Sequence, residues 1–277
     1  MKRYLKLVNF EISRFMKIYV VLIAITVITQ ITGVIVLSKG YLKDAEQYLY
    51  GLPATKEQFI NDYGLMSMAD IVHTVWFVGP IGLCIAALIF YVFFIWYRDW
   101  FGKSTFIYRL LMLPTMRMNI FYAKATTMML LIFGLVSIQF ILVPIEGTIL
   151  KWMVPKDFRM DLSVSETIGG FPDLQVLLPH SFIEFMMHYG IGMMIMFIVF
   201  TCILFERSYR LKGIFMGIVY GLVVLCIFLS PTISEIFTDV NYLYPTELFI
   251  LQTFLWILVT GLSIWVSNFL LNKKINV

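Results

Sequence analysis

Two histidines and a glutamate, His180, Glu184 and His188, follow one another at i, i+4 and i+8, so on a continuous helix their side chains share one face. Imidazole and carboxylate at that spacing could hold a metal ion or relay a proton. The set lacks the adjacent His-Glu of a helical zinc protease, Pro179 sets His180 at a helix start, and no fourth ligand is visible. The alternative is a polar stripe facing an outer vestibule. Asp70 and His73, at i and i+3, offer less. Gly102-Lys103-Ser104 matches the end of a phosphate-binding loop, but position 97, where that loop needs glycine, is Tyr97. The residues before it, 71 to 97, are an apolar run of 27 without Asp, Glu, Lys or Arg, not a short strand. No nucleotide site, and hence no cofactor, is expected in this chain. Intramembrane proteolysis would need a paired-carboxylate, Ser-His or glutamate-rich metal arrangement, and the apolar runs offer no Gly-x-Ser-x-Gly, no His-Glu-x-x-His and no facing aspartates.

The elements that must position these residues are membrane helices. Apolar residues make up 60% of the 277 and charged residues only 14%, and the mean hydropathy is +0.87. A helix needs roughly 20 apolar residues to cross a hydrocarbon core of about 30 Å. Such runs occur near 18–38, 71–97, 124–150, 182–205, 213–232 and 247–271, which predicts an all-α membrane protein of six spans in one transmembrane domain, 1–277. The runs are continuous, whereas a membrane β-strand would alternate.

Orientation follows from charge, because cytosolic flanks keep lysine and arginine. With both termini inside, the cytosolic segments hold fifteen of the twenty-one basic residues and three acids, Glu11, Asp99 and Glu206; the other side holds six bases and fourteen acids. The net charge of +4 is therefore a sum of two opposed faces and not a nucleic-acid footprint. Residues 1–17 carry Tyr4, Leu5, Val8, Ile12, Phe15 and Met16 on one side and mostly basic or polar residues on the other. They read as an amphipathic helix in the inner interface, or equally as the charged flank of the first span. Cys84, Cys202 and Cys226 lie inside apolar runs without CxxC spacing, which predicts buried thiols. Glu146, twenty-two residues after Lys124, is expected at the outer boundary, about 33 Å along the helix. Gly79-Pro80 is expected to kink the second span.

Between the second and third spans the chain stays cytosolic for residues 98–123. Gly102 reads as a turn, Ser104 or Thr105 as a helix cap, "FIYRLLML" as a short helix, Pro114 as its stop and Thr115 as a new cap. A short cytosolic helix with Phe106, Leu110 and Leu113 on one side and Arg109 free to face the cytosol is suited to dock into a groove on another protein. The alternative is a helix that lies on lipid.

The stretch "LLMLPTMRMNIFYAK", Leu110 to Lys124, resembles the pattern Leu-Pro-[Val/Ile/Thr]-[Ser/x]-Arg-x-x-[Ile/Val]-x-x-[Ala/Gly]-Lys that precedes the third span in ABC-2 type permeases, the membrane subunits of bacterial ATP-binding cassette transporters. Leu113, Pro114, Thr115, Arg117, Ile120, Ala123 and Lys124 match; Met116 stands where a small polar residue is common, and outer loops one and two are longer than in the simplest members. The resemblance implies a multi-pass protein of the bacterial cell membrane, paired with a second permease, identical or related, and with two ATPase subunits that carry the ATP and Mg. It implies that the short helix couples to the ATPase, with Phe106, Arg109, Leu110, Leu113, Pro114 and Arg117 at the contact. The 25 Phe, 15 Tyr and 17 Met and the lack of mid-span ionisable groups suit export of a peptide or other amphipathic cargo. The alternative function is a non-transporting immunity or sensor protein that binds a peptide at its outer loops.

Overall fold

The computed structural model describes residues 2–51, 55–100, 106–112, 116–238 and 244–275. In order, the helices are α1 (Lys2–Gly51), α2 (Lys56–Tyr63), α3 (Met68–Val72), α4 (Val75–Trp100), α5 (Phe106–Leu111), α6 (Met118–Met153), α7 (Val164–Gly169), α8 (Pro172–Leu177), α9 (Phe182–Tyr209), α10 (Leu211–Thr238) and α11 (Pro245–Phe269). Among the described residues the one β-type pairing is an isolated bridge between Met66 and Arg159. Six helices, α1, α4, α6, α9, α10 and α11 with its π-helical extension Leu270–Lys274, are long and apolar enough to cross a membrane. Five of them contain one of the apolar runs whole; the run 71–97 instead begins in α3 and the turn after it, and α4 starts only at Val75. In hydrocarbon a helix satisfies its own backbone groups, which is why uninterrupted apolar runs take this form. Large apolar side chains left exposed, such as Phe90, Phe215, Leu222 and Trp265, suit a lipid-facing surface.

The first helix departs from expectation. Residues 2–17 are not a separate interfacial helix but the opening turns of a single 50-residue α1. Long-range contacts fasten this segment: the Tyr4 hydroxyl meets Thr126 Oγ1 at 2.5 Å, Thr127 donates to the Val8 carbonyl, and Val8, Glu11 and Phe15 are buried. The same helix also takes in residues 39–51, beyond the first apolar run, and ends at Gly51. α6 likewise begins at Met118, six residues before the expected span.

The chain divides into two compact units, one of residues 1–13, 89–129 and 186–277, the other of residues 14–88 and 130–185. In the first, Trp96, Phe121, Phe197 and Phe200 form an aromatic core, with Phe121 stacked on Phe197 at 5.4 Å and Trp96 edge-on to Phe200 at 5.6 Å. α9 and α10 turn back through Arg210 alone, held at φ 54°, a left-handed conformation that costs about 1–2 kcal/mol for a side chain with Cβ. Gly213, Gly217 and Gly221 then lie along α10 against α9; a Cβ on Gly217 would stand 2.9 Å from the Cys202 carbonyl oxygen, and one on Gly213 would overlap Phe205 backbone. Small residues at this four-residue spacing let membrane helices approach closely. The thiols are free, with Cys84 buried and Cys202 half-buried; Cys226, expected to be buried, is exposed.

In the second unit, the short helices α2, α3, α7 and α8 pack with α1 and α6 around Phe59, Phe158, Phe171 and Leu174. Capping fixes these short elements, which isolated helix propensity could not sustain. Thr55 and Gln58 form a reciprocal capping box on α2, and Ser163 and Glu166 another on α7. Gly64 stops α2 near a positive φ of 77°, and Pro172 opens α8. Arg159 donates to the Lys151 and Val154 carbonyls, closing the end of α6.

Candidate functional site

The connection from α4 to α6 is rooted in a buried set of charges within the first unit. Lys124, on the second turn of α6, is fully buried and spends its ammonium protons on Glu11 Oε1 (2.8 Å), Asp99 Oδ2 (2.5 Å) and the Ile95 carbonyl (2.7 Å). Glu11 comes from α1, and Asp99 and Ile95 from the last turns of α4. Arg98 completes the set by donating to the other Glu11 oxygen at 2.7 Å. Two acids and two bases thus balance, and the Trp96 ring face lies 5.2 Å from Lys124 Nζ, which adds a cation–π contribution. Such a cluster tolerates burial because every ammonium proton and both Glu11 oxygens are engaged.

Arg117 sits at the foot of α6 and donates to the Leu271 and Ile275 carbonyls at 2.7 and 2.8 Å. Its guanidinium thereby caps the carboxyl end of the last helix. In the first unit, then, both ends of the α4–α6 connection are tied to other helices: through Lys124 to α1 and α4, and through Arg117 to the extension of α11.

The expected contact residues are placed differently from one another. Arg109 is exposed on α5, whereas Leu110, with Ile107 and Leu111, is buried. Leu110 therefore belongs to the packed side of α5, whereas Arg109 on α5, Met112 (72%) and Met116 (79%) are each exposed. Arg117 is spent internally. The Phe106 side chain, Leu113 and Pro114 lie outside the described residues, as do Gly102, Lys103 and Ser104.

The His180, Glu184 and His188 set does not come together. His180 precedes α9, which starts at Phe182. The Glu184 carboxylate accepts from the His180 backbone N–H at 3.1 Å while Ser181 Oγ accepts from the Glu184 N–H at 3.2 Å; the pair caps the helix. Among the described residues no group of three His, Cys, Asp or Glu could hold a metal ion. Asp70 caps α3 through Ser67, and the His73 ring packs edge-on against Phe171 at 4.8 Å.

The burial of Lys124 and Glu11 was missed in the sequence, where both count as ends of spans. A signal was present. The three acids that charge sorting leaves among the basic segments are Glu11, Asp99 and Glu206; the first two hold Lys124, and Glu206 accepts the Tyr97 hydroxyl. An acid on the basic side is a candidate partner for a buried base.

No family model, no curated protein and no solved structure gives a significant match to this chain. The likeness to ABC-2 permeases therefore rests on the Leu113-to-Lys124 pattern and on the six-span layout.

Proposed function

We propose that this chain is the membrane permease subunit of an ATP-binding cassette transporter of the bacterial cell membrane, exporting a peptide or other amphipathic cargo with ATP hydrolysed by a separate subunit. One observation carries the reading. The pattern residues Arg117 and Lys124 are the two that fasten the α4–α6 elbow to α1, α4 and the end of α11. In this reading a push transmitted from α5 reaches the start of α6, which is held by packed helices. The docking face in this reading is Arg109 with Met112 and Met116: a cation beside flexible apolar side chains that adapt to a groove. It replaces the face centred on Leu110. The elbow lies on the cytosolic side, with both termini, and the partners are the ATPase and a second permease.

The test is co-purification. Arg109→Asp with Met112→Asp should release the ATPase while the permease stays membrane-inserted with an unchanged Tm, and Lys56→Asp should release nothing. An ATPase retained by the double variant would refute the docking face, and ATP hydrolysis by the purified chain alone would refute the reading as a whole.

A second reading, a peptide-binding immunity or sensor protein, is favoured by a cavity of about 400 Å³ in the second unit, where Tyr41, Tyr63, Asp44 and Asp70 surround an apolar floor that includes Leu37 and Ile71. Aromatic rings and carboxylates together suit a cationic amphipathic peptide. Peptide binding without any ATPase in the complex would favour it.

A further inference from the structure

The second unit holds a carboxyl group that the coupling reading does not use. Glu146, on α6, is fully buried, and neither of its oxygens has a hydrogen-bond partner. Its surroundings are the packed core of that unit, since Val143 and Leu150, one turn to either side on the same face of α6, belong to it. Of the charged or titratable groups on the elements around this core, Lys39 and Asp44 on α1, Asp70 on α3, His73 after it and Lys151 on α6 are exposed, as are those of α2, α7 and α8, while Tyr41 and Tyr48 on α1 and Arg159 after α6 are half-buried. None of them bonds to Glu146.

Glu146 is the end of a series. Within this unit α1 and α6 run in parallel, as two contacts show: the Tyr19 hydroxyl donates to the Leu131 carbonyl at 3.2 Å, and Gln30 Nε2 donates to Gln139 Oε1 at 3.2 Å. Eight residues beyond Gln30 on α1 is Ser38, and seven beyond Gln139 on α6 is Glu146, about 12 and 10.5 Å further along at 1.5 Å per residue. The two are therefore level. Ser38 is also fully buried, and its hydroxyl also has no partner; Gln30 Oε1 and Gln139 Nε2 are two more buried polar atoms without one. Below them Thr26 meets the Cys84 thiol at 3.4 Å.

Buried polar groups are ordinarily satisfied, and a run of unsatisfied ones on facing helices needs an explanation. An ionised carboxylate with no partner is costly in such a place, and an ionisable group inside a membrane protein is a candidate functional site by default. Glu146 does not line the three cavities described in this unit, and no cation bonds to it. We propose that Glu146 is a proton-binding site, served by the buried polar groups of Ser38, Gln30 and Gln139. The exchange is a simple one: on uptake a hydronium gives a proton to a Glu146 carboxylate oxygen and leaves a water, and on release a water takes that proton and leaves as hydronium. This goes beyond ATP-driven coupling and does not depend on it, because no residue of the α4–α6 elbow takes part.

Infrared difference spectroscopy of the protein in lipid nanodiscs, titrated with acid, tests it. The expected result is a protonated-carboxyl C=O band that follows pH and shifts in deuterated water. The band should be absent in Glu146→Gln, and it should move in frequency in Ser38→Ala, where one neighbour is removed and the fold is kept. Should Glu146→Gln leave the difference spectrum unchanged, the site would be overturned. Should the band be pH-invariant in the wild type, or replaced by a carboxylate band that responds to sodium or potassium, Glu146 would not be a proton exchanger.

Discussion

Lys124→Met removes the cation from the buried charge set and gives the sharpest test of how the elbow is anchored. Methionine fills nearly the same volume, so the change isolates charge from packing. In the native protein the ammonium stands between Glu11 and Asp99, at 2.8 and 2.5 Å, with no solvent exposure. After substitution Glu11 keeps Arg98, but two buried carboxylates face each other without the lysine. Removing one partner of a buried pair costs about 3–5 kcal/mol, on the order of 10 °C in Tm for a chain of this size. Adding Asp99→Asn should return at least about 1 kcal/mol, since the two sites share a contact and are non-additive. Lys56→Met, at the exposed pair with Asp157, should change stability by under about 1 kcal/mol. Thermal unfolding in detergent, followed by tryptophan emission with Trp96 against the cluster, reads all four proteins. A Lys124→Met variant as stable as the Lys56→Met control, or an Asp99→Asn that only adds damage, would refute the reasoning.

Two further outcomes follow from local geometry. Gly217→Ala should destabilise by about 1–3 kcal/mol, because its Cβ must push α10 off the Cys202 carbonyl; Gly40→Ala, in α1 with open space around it, should stabilise by up to about 1 kcal/mol, and unfolding curves compare them. Glu166 is held below the ordinary carboxylate range, first by the Ser163 backbone N–H and then by the Ser163 side chain. A depressed folded value means that the cap's contribution is present at neutral pH and is lost as pH falls through that value. The protection of amides around Ser163, relative to their intrinsic exchange at each pH, should fall in acid in the wild type but show no such transition in Glu166→Gln, and equal behaviour would refute the assignment.

The six long helices were legible because lipid leaves an apolar run little else to become. Residues 2–17 misled because an amphipathic flank has the same periodicity whether it lies on a membrane or continues a helix; Tyr4, Val8 and Glu11 are decided by partners on α4 and α6, more than eighty positions away. Lys124 failed for the same reason. A base at the end of a span reads as a flank until Glu11 and Asp99 are brought to it. Glu146 was expected at a water-facing boundary from length alone, but α6 runs on to Met153 and packs into a core that α2, α3, α7 and α8 help to build. The His180 to His188 spacing was real as arithmetic, yet Ser181 and Glu184 start the helix after His180, so the shared face never includes it. The glycines at 213, 217 and 221 were readable as a close-approach stripe from spacing alone, and were passed over.

The central claim is that the elbow is cytosolic and receives an ATPase. A single cysteine at Met112, in a background with Cys84, Cys202 and Cys226 replaced, should react with a membrane-impermeant maleimide in inverted vesicles, not in intact cells, and should be shielded when the ATPase is bound. Labelling in intact cells would contradict the claim outright.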